Sequence, residues 1–189
     1  MPETPEQFHA RVADNLQMPL LEEWDSWPFE GSLQPKRLRP PEPEPRIEGQ
    51  DGVDCPACTK PDSEYLWGNE RWRLLALEPG GLPVIVLLEP REHFAGPAGL
   101  PEDLARDQGV MLGRVERAVL SVGGIERVHI GRWGEGAEHL HWWFIGRPTG
   151  LGQLRSSFAE IWDSVLPPTP REIWDDNLAR VVRFLESDG

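Results

Sequence analysis

The sequence lacks any apolar run that approaches the roughly 20 residues needed for a transmembrane helix. Its first residues include acidic side chains where a secretory signal would carry basic ones, and no apolar run follows them. We therefore expect a soluble cytoplasmic protein with no membrane partner.

Basic residues are scarce relative to acidic ones. The chain has 19 Lys and Arg residues against 32 Asp and Glu residues, which gives a net charge of −13. Sequence-independent binding to nucleic acid requires many contacts between basic side chains and phosphates. The charge balance therefore argues against a polynucleotide partner, whereas a small anionic ligand remains compatible with locally arranged charges.

Cysteine is also rare, since the chain has only Cys55 and Cys58, separated by two residues. In a reducing compartment such a pair is more often a metal or redox site than a structural disulfide. A thioredoxin-like redox pair is disfavoured because no Trp precedes the first cysteine and the strand-to-helix context is missing. A metal site is the favoured interpretation, with a redox pair and two free thiols as alternatives.

The chain of 189 residues is long enough for one well-buried core with extensions. Residues 5–21 predict an amphipathic helix because apolar side chains recur at every fourth position. These side chains are Phe8, Val12, Leu16 and Leu20. Residues 35–48 predict a semi-rigid connector, because their prolines remove amide donors and fix φ.

Apolar patterns in the rest of the chain predict several strands and two long helices. The strands are expected at residues 72–77, 83–88, 125–131 and 138–146, and the helices at residues 101–122 and 170–186. A Gly/Pro turn joins the first two strands into an antiparallel hairpin. The last two strands should pair with each other.

The last predicted strand carries the candidate chemistry. Successive side chains in a strand point to opposite faces, so Leu140, Trp142 and Phe144 share one face, which we expect to be the core. The opposite face carries His139, His141 and Trp143. Two histidines and an indole in a row favour a functional site over packing.

This strand and its surroundings resemble the signature of the histidine triad (HIT) family. The family pattern is His-x-His-x-His on the last strand, after a short Gly-containing turn and commonly before an Arg or Pro. Here Gly134-Glu135-Gly136 precedes His139-Leu140-His141-Trp142-Trp143, and Arg147-Pro148 follows. The upstream order of hairpin, helix and strand agrees as well.

The resemblance covers about residues 55–148 and implies an α+β fold. We expect a HIT-like antiparallel sheet of about five strands flanked by helices, with N-terminal and C-terminal extensions. Residues 1–50 would form an N-terminal helix and a proline-rich extension, and residues 51–150 the HIT-like domain with its metal site. Residues 151–189 would form a C-terminal helical extension that packs on the same domain. The family also suggests a possible homodimer.

One branch of this superfamily, which includes the galactose-1-phosphate uridylyltransferases, binds zinc. Its ligands are a CxxC pair, a histidine after the hairpin and the first motif histidine. The matching residues here are Cys55, Cys58, His93 and His139. Two thiolates and two imidazoles suit a closed tetrahedral site, so the resemblance implies a structural zinc ion. His9 and His129 match no motif position and are interpreted as ordinary helix and strand residues.

The resemblance also assigns a nucleophile. With His139 on zinc, His141 is the free histidine at the family's nucleophile position. A neutral imidazole can attack an α-phosphorus through one ring nitrogen when a backbone carbonyl holds the proton of the other. Backbone amides of the turn Gly134 to Gly136 could bind the phosphate oxygens, because glycine allows close approach. The alternative is a catalytically silent contact from His141 to a ligand.

Trp143 departs from the family pattern, because hydrolase members carry a third histidine there and transferase members a glutamine. An indole N–H can donate to a phosphate oxygen but cannot transfer a proton to a leaving group. Cleavage of a phosphoanhydride is therefore favoured over hydrolysis of a phosphoramidate. Glu135 would repel a phosphate unless Arg132 or another cation compensates.

Three hypotheses follow. The first is a nucleotide hydrolase or nucleotidyltransferase that acts through His141. The second is a catalytically silent, zinc-containing module that binds a nucleotide. The third is a zinc-stabilised interaction protein that uses its tryptophans and proline-rich segment to bind another protein.

Overall fold

The computed structural model describes residues 4–14, 26–29, 31 and 39–187. Its centre is a five-stranded antiparallel sheet with the strand order β1-β2-β3-β5-β4. The strands are β1 (Trp67–Gly68), β2 (Trp72–Ala76), β3 (Ile85–Pro90), β4 (Ile125–Gly131) and β5 (Trp142–Pro148). The predicted α+β fold with a sheet of about five strands is confirmed.

The strand pairing follows the predicted order. β2 and β3 form the expected antiparallel hairpin, in which Leu74 lies opposite Leu88. β3 is buried along its whole length because it lies in the middle of the sheet. The last two strands also pair as predicted, from Ile125 opposite Pro148 to Gly131 opposite Trp143. Because β3 and β5 are paired in the middle of the sheet, the end of β3 lies beside the start of β5, and the sheet fixes the position of the residues at both of these ends.

Five α-helices are present in the described part of the chain. They are α1 (Pro5–Val12), α2 (Pro56–Thr59), α3 (Glu102–Leu120), α4 (Ala159–Val165) and α5 (Arg171–Ser187). The predicted helices at residues 101–122 and 170–186 correspond to α3 and α5. The sequence patterns did not predict β1, α2 or α4, which are too short to establish a clear apolar period.

Helices α3 and α5 close the main core. The buried side chains of α3 recur at helical spacing and pack against β4 and β5, whereas those of α5 pack against α3. They are Met111, Val115, Ala118 and Val119 in α3, and Trp174, Leu178, Val181 and Leu185 in α5. The C-terminal residues thus contribute to the same core as the sheet.

The N-terminal part agrees only partly with the sequence-based expectation. Helix α1 begins with a capping box between Thr4 and Gln7, which satisfies backbone amides of its first turn. It ends at Val12, and the predicted continuation through Leu16 and Leu20 lies outside the described residues. Residues 39–47 form neither helix nor strand, as the prolines predict.

Membrane insertion has no candidate helix in this structure, since none of the helices in the described ranges is both long and apolar enough to span a bilayer.

Candidate functional site

The motif histidines lie just before β5 rather than within it. The strand predicted from residue 138 begins at Trp142, so that prediction was wrong at its start. The extended residues before it bond to loops instead of to a neighbouring strand: the Glu138 amide donates to the Glu48 carbonyl (2.9 Å) and the Leu140 amide to the Phe94 carbonyl (2.7 Å). The predicted core face is nevertheless confirmed, since Leu140 and Phe144 are fully buried.

The four predicted zinc ligands come together beside this segment. Cys55 caps the N-terminus of α2 and Cys58 lies within it, so a single helical turn brings the two sulfurs near each other. One ligand atom from each of Cys55, Cys58, His93 and His139 lies within 4.8 Å of the other three. Nδ1 of His139 is 3.4 Å from the Cys55 Sγ and 3.6 Å from the Cys58 Sγ.

These distances suit a tetrahedral metal site. Zinc bonds of about 2.3 Å to sulfur and 2.0–2.1 Å to nitrogen place any two ligand atoms roughly 3.3–3.8 Å apart. The Cys58 Sγ to His93 Nδ1 distance of 3.8 Å fits as well. A complete set of two sulfurs and two imidazoles leaves no open position for substrate, so the cluster fits a structural zinc ion.

Backbone and carboxylate acceptors orient both imidazoles toward the sulfurs. Nε2 of His139 donates to the Pro90 carbonyl (2.9 Å), and Nε2 of His93 lies 3.2 Å from a carboxylate oxygen of Glu138. Since these oxygens only accept hydrogen bonds, each Nε2 carries the proton and each Nδ1 keeps its lone pair. Burial also lowers the pKa of His139, which favours the neutral form that a metal ligand requires.

Cys58 needs a metal ion to ionise readily. Desolvation of the sulfur and the neighbouring Cys55 thiol raise the pKa of Cys58 to about 11. A thiol with such a pKa is protonated at neutral pH, so zinc binding here would displace a proton from it. Zinc affinity should therefore rise with pH.

His141 is held in the orientation that a nucleophile requires. Its Nδ1 lies 2.8 Å from the backbone carbonyl of His139. A carbonyl cannot donate, so Nδ1 carries the proton and Nε2 of the neutral ring has a free lone pair. Nε2 has no hydrogen-bond partner among the described residues, and the half-buried ring of His141 lines an open cavity.

The cavity beside His141 has a volume of about 540 Å³. It brings together five of the predicted site residues, namely Gly134, Glu135, Gly136, His141 and Trp143. The other lining residues are Glu48, Leu87, Glu89, Trp133, Ala137 and Glu160. A smaller cavity of about 160 Å³ on the side of the metal cluster shares Glu48, Glu89, Ala137 and His141 with it.

Arg132 does not line this cavity. Its Nη2 donates to the Ala95 carbonyl (2.6 Å), so the guanidinium holds the loop that follows His93. Gly134 adopts a φ of +68°, and a Cβ there would lie 2.8 Å from a guanidinium nitrogen of Arg132. The positive φ favours glycine at this position, and the guanidinium of Arg132 lies against it.

Two indoles form an aromatic wall of the cavity. The rings of Trp133 and Trp143 meet edge to face with centroids 5.9 Å apart. Trp143 also contacts His141, with ring centroids 6.3 Å apart. Trp133 is 47% exposed, which leaves part of its ring available to a ligand.

Sequence reasoning missed Glu89, which lies in the cavity beside His141. Glu89 is only 6% exposed and accepts a hydrogen bond from the Tyr65 hydroxyl (3.0 Å). Burial raises the pKa of this carboxyl group. A signal was available in the sequence, because a charged residue within the otherwise apolar strand β3 is unusual at a buried position.

The lining of the larger cavity is acidic. Four glutamates contribute to it, and none of its lining residues is Lys or Arg. Glu48 and Glu160 come from regions far from the motif in sequence, so no local pattern predicts their presence. The predicted conflict between a phosphate and Glu135 is therefore larger than the sequence suggested, and Arg132 is not among the residues that line the cavity.

Comparison with known proteins finds no matching family model and no matching curated protein. Solved histidine triad proteins do match. One from Bradyrhizobium japonicum is 17% identical, with 63% of this chain and 87% of that chain covered at a TM-score of 0.53. One from Marinobacter aquaeolei VT8 is 17% identical, with 65% and 88% covered at a TM-score of 0.53. A hypothetical histidine triad nucleotide-binding protein from Sulfolobus tokodaii is 13% identical, with 66% and 84% covered at a TM-score of 0.50. The resemblance seen in the motif is thus confirmed at the level of the fold, and the chain has the fold of the histidine triad proteins.

Proposed function

We propose that this protein is a nucleotide hydrolase or nucleotidyltransferase that cleaves a phosphoanhydride bond through a nucleotidyl-histidine on His141. The observation that supports this most directly is the hydrogen bond from Nδ1 of His141 to the His139 carbonyl (2.8 Å). It fixes the tautomer that leaves the Nε2 lone pair available for attack. The nucleotide-binding designation of the Sulfolobus tokodaii neighbour agrees with a nucleotide ligand.

The reaction has two steps. Nε2 attacks the α-phosphorus of the nucleotide, a P–N bond forms, and the P–O bond to the leaving group breaks as the electron pair departs with that oxygen. Water or another acceptor then attacks the same phosphorus and loses a proton. The P–N bond breaks, which releases the nucleoside monophosphate or transfers it, and restores the neutral imidazole.

Trp143 restricts the leaving group. Its indole has no exchangeable proton of suitable acidity, so it can donate a hydrogen bond to a phosphate oxygen but cannot protonate a leaving amine or alcohol. A phosphate or nucleotide polyphosphate leaves as a stable anion and does not need that proton. This favours cleavage of a phosphoanhydride.

Different residues of the cavity lining suit the base and the phosphate of a nucleotide. Trp133 and Trp143 offer aromatic surface on which a base can stack, while the turn Gly134 to Gly136 offers backbone amides for the phosphate. Zinc, bound by Cys55, Cys58, His93 and His139, would supply folding energy rather than chemistry at the phosphorus. Its ligands hold the backbone next to His141.

A second function is a nucleotide-binding module without turnover. The acidic lining of the cavity favours it, because Glu48, Glu89, Glu135 and Glu160 oppose the build-up of negative charge at a reacting phosphate. In that case the zinc site and fold would be retained, and His141 would only contact the ligand.

Turnover and binding measurements separate these functions. The zinc-loaded protein is incubated with nucleoside diphosphates, nucleotide sugars and dinucleoside polyphosphates, and released monophosphate and equilibrium binding are both measured. His141→Ala should abolish turnover without loss of zinc, whereas His9→Ala, at a histidine that does not line the cavity, is the matched control. Ligand binding without turnover in the wild-type protein would support the binding module, and turnover that survives His141→Ala would overturn the proposed mechanism.

A further inference from the structure

A short N-terminal segment contacts the metal cluster directly. We call residues 46–52 the strap. Gly49 in the strap is buried with a φ of +71°, and a Cβ there would lie 3.2 Å from the Cys55 Sγ. A Cβ on Gly52 would lie 3.7 Å from the imidazole ring of His93. The backbone of the strap therefore packs against two of the four zinc ligands.

The same strap forms a wall of the cavity beside His141. The Glu48 amide donates to the Gly136 carbonyl (3.4 Å), and the Glu138 amide donates to the Glu48 carbonyl (2.9 Å). Glu48 and Ala137 form an isolated parallel bridge at this point. Glu48, Gly136 and Ala137 all line the cavity, so the position of the strap sets the position of the turn that faces the ligand.

One carboxylate oxygen joins the metal cluster to the strap. Oε1 of Glu138 lies 3.2 Å from Nε2 of His93 and accepts a hydrogen bond from the Asp51 amide (2.8 Å). This one oxygen therefore connects the His93 ring to the backbone of the strap. The carboxylate keeps the proton of His93 on Nε2 and its Nδ1 lone pair directed at the cluster.

We propose that Glu138 is a positioning residue through which zinc binding orders the strap and, with it, the cavity wall. A metal ion fixes the His93 ring, the ring fixes the Glu138 carboxylate, and the carboxylate holds the Asp51 amide. The coupling is reciprocal, so an ordered strap also raises the affinity for zinc. This inference goes beyond the proposed catalytic function and does not depend on it.

The experiment measures zinc affinity and backbone amide exchange on the full chain, in the metal-free and zinc-loaded forms. Zinc affinity is obtained by competition with a chelator, and the absorption spectrum of the cobalt-substituted protein reports on the geometry of the ligands. Hydrogen exchange is followed for the strap and for residues 133–139, with β3, residues 85–90, as an internal reference. None of these readouts requires turnover.

Glu138→Ala should weaken zinc binding by about 10-fold to 100-fold, as expected when a partner of a metal-bound histidine is removed. It should also abolish the zinc-dependent protection of the strap. Glu138→Gln should retain most of both effects, because its amide oxygen can accept the same two hydrogen bonds. Glu92→Gln, at an exposed position beside His93, is the control and should behave like the wild-type protein.

Gly49→Ala provides an independent variant that keeps every ligand and Glu138. It should also weaken zinc binding, because it strains the backbone of the strap and crowds Cys55. Wild-type zinc affinity in Glu138→Ala would overturn the proposal. The proposal would also be overturned if the amides of the strap were equally protected from exchange with and without zinc. The same holds if zinc increased the protection of β3 as much as that of the strap. If Glu138→Ala does not fold, Gly49→Ala and the exchange of the wild-type strap decide: wild-type zinc affinity in Gly49→Ala, or strap amides equally protected with and without zinc, would overturn the proposal.

Discussion

His139 and His141 are separated by a single residue, yet the structure gives them opposite environments. His139 is only 3% exposed, its Nε2 bonds to a backbone carbonyl, and its Nδ1 faces two sulfurs. His141 lines an open cavity, and it is Nδ1 that bonds to a backbone carbonyl. The role of each ring is thus set by which nitrogen a carbonyl holds, since that choice determines which lone pair stays available.

The surroundings of the two histidines differ in the same way. The metal cluster is compact, and each of its four side chains is a common zinc ligand. The cavity combines the His141 ring, whose Nδ1 is held by a carbonyl, with four glutamates and the indole of Trp143. All residues of the cluster therefore suit the same ligand, a zinc ion, whereas the cavity contains groups that oppose the binding of a phosphate.

The largest expected effect concerns the metal side. Cys55→Ala removes a buried ligand, so the protein should lose its zinc and about 3 kcal/mol or more of unfolding free energy, or roughly 10 °C in Tm. Metal analysis and thermal unfolding check this, with Ser63→Ala at an exposed position nearby as the control. Full stability without bound metal would contradict a structural role for zinc.

The next largest effect tests whether Trp143 restricts the leaving group. Trp143→His supplies an imidazole that can protonate a leaving amine, so kcat/KM for a nucleoside phosphoramidate should rise by about 10-fold or more. Activity on phosphoanhydrides should change less. Trp143→Phe, which keeps an aromatic ring but adds no proton donor, is the control, and an equal gain in both variants would refute the explanation.

A smaller effect is expected from the acidic lining. Glu135→Gln removes one carboxylate from the cavity, so the affinity for a nucleoside monophosphate should rise by about 2-fold to 5-fold at low ionic strength. The gain should shrink as salt is added. Glu126→Gln on the exposed surface of β4 should show no comparable gain in titration calorimetry. An unchanged or weaker affinity in Glu135→Gln would mean that this carboxylate does not oppose the ligand.

The smallest effect concerns pH. Burial raises the pKa of Glu89 above the value of an unfolded glutamate, about 4.3, against the opposing effects of Tyr65, Arg73, His141 and Lys60. The folded state therefore binds more protons in the interval between the two pKa values, and stability falls as pH rises through it. Glu89→Gln lacks this dependence, so its stability relative to the wild-type protein should increase across that interval and then level off. Thermal unfolding of both proteins at successive pH values measures this difference, and a constant difference would contradict it.

The fold was largely predictable from sequence because its main elements are long and periodic. The hairpin, α3, β4 and α5 each extend over enough residues to show an apolar pattern. The start of β5 was not predictable, since residues 138–141 alternate like a strand but bond to Phe94 and Glu48 in loops. Only tertiary contacts distinguish such an extended segment from a strand.

In the candidate site too, features marked by a sequence pattern were predictable, whereas features that depend on tertiary contacts were not. The metal cluster is marked by closely spaced cysteines and by the motif, and the structure brings all four residues together. The cavity depends on Glu48, Glu89 and Glu160, which are distant in sequence and belong to no motif. Arg132 illustrates the converse, because it is close to the motif in sequence, whereas the structure places its guanidinium against the Ala95 carbonyl and outside the lining of the cavity.

The proposed mechanism requires Nε2 of His141 to form a covalent bond to phosphorus. The most direct test mixes the zinc-loaded protein with a nucleotide substrate, quenches at alkaline pH where a P–N bond survives, and maps the adduct by peptide mass spectrometry. We expect the mass of one nucleoside monophosphate on His141 and no adduct in His141→Ala. An adduct on another residue, or turnover with no adduct on His141 at any quench time, would contradict the mechanism.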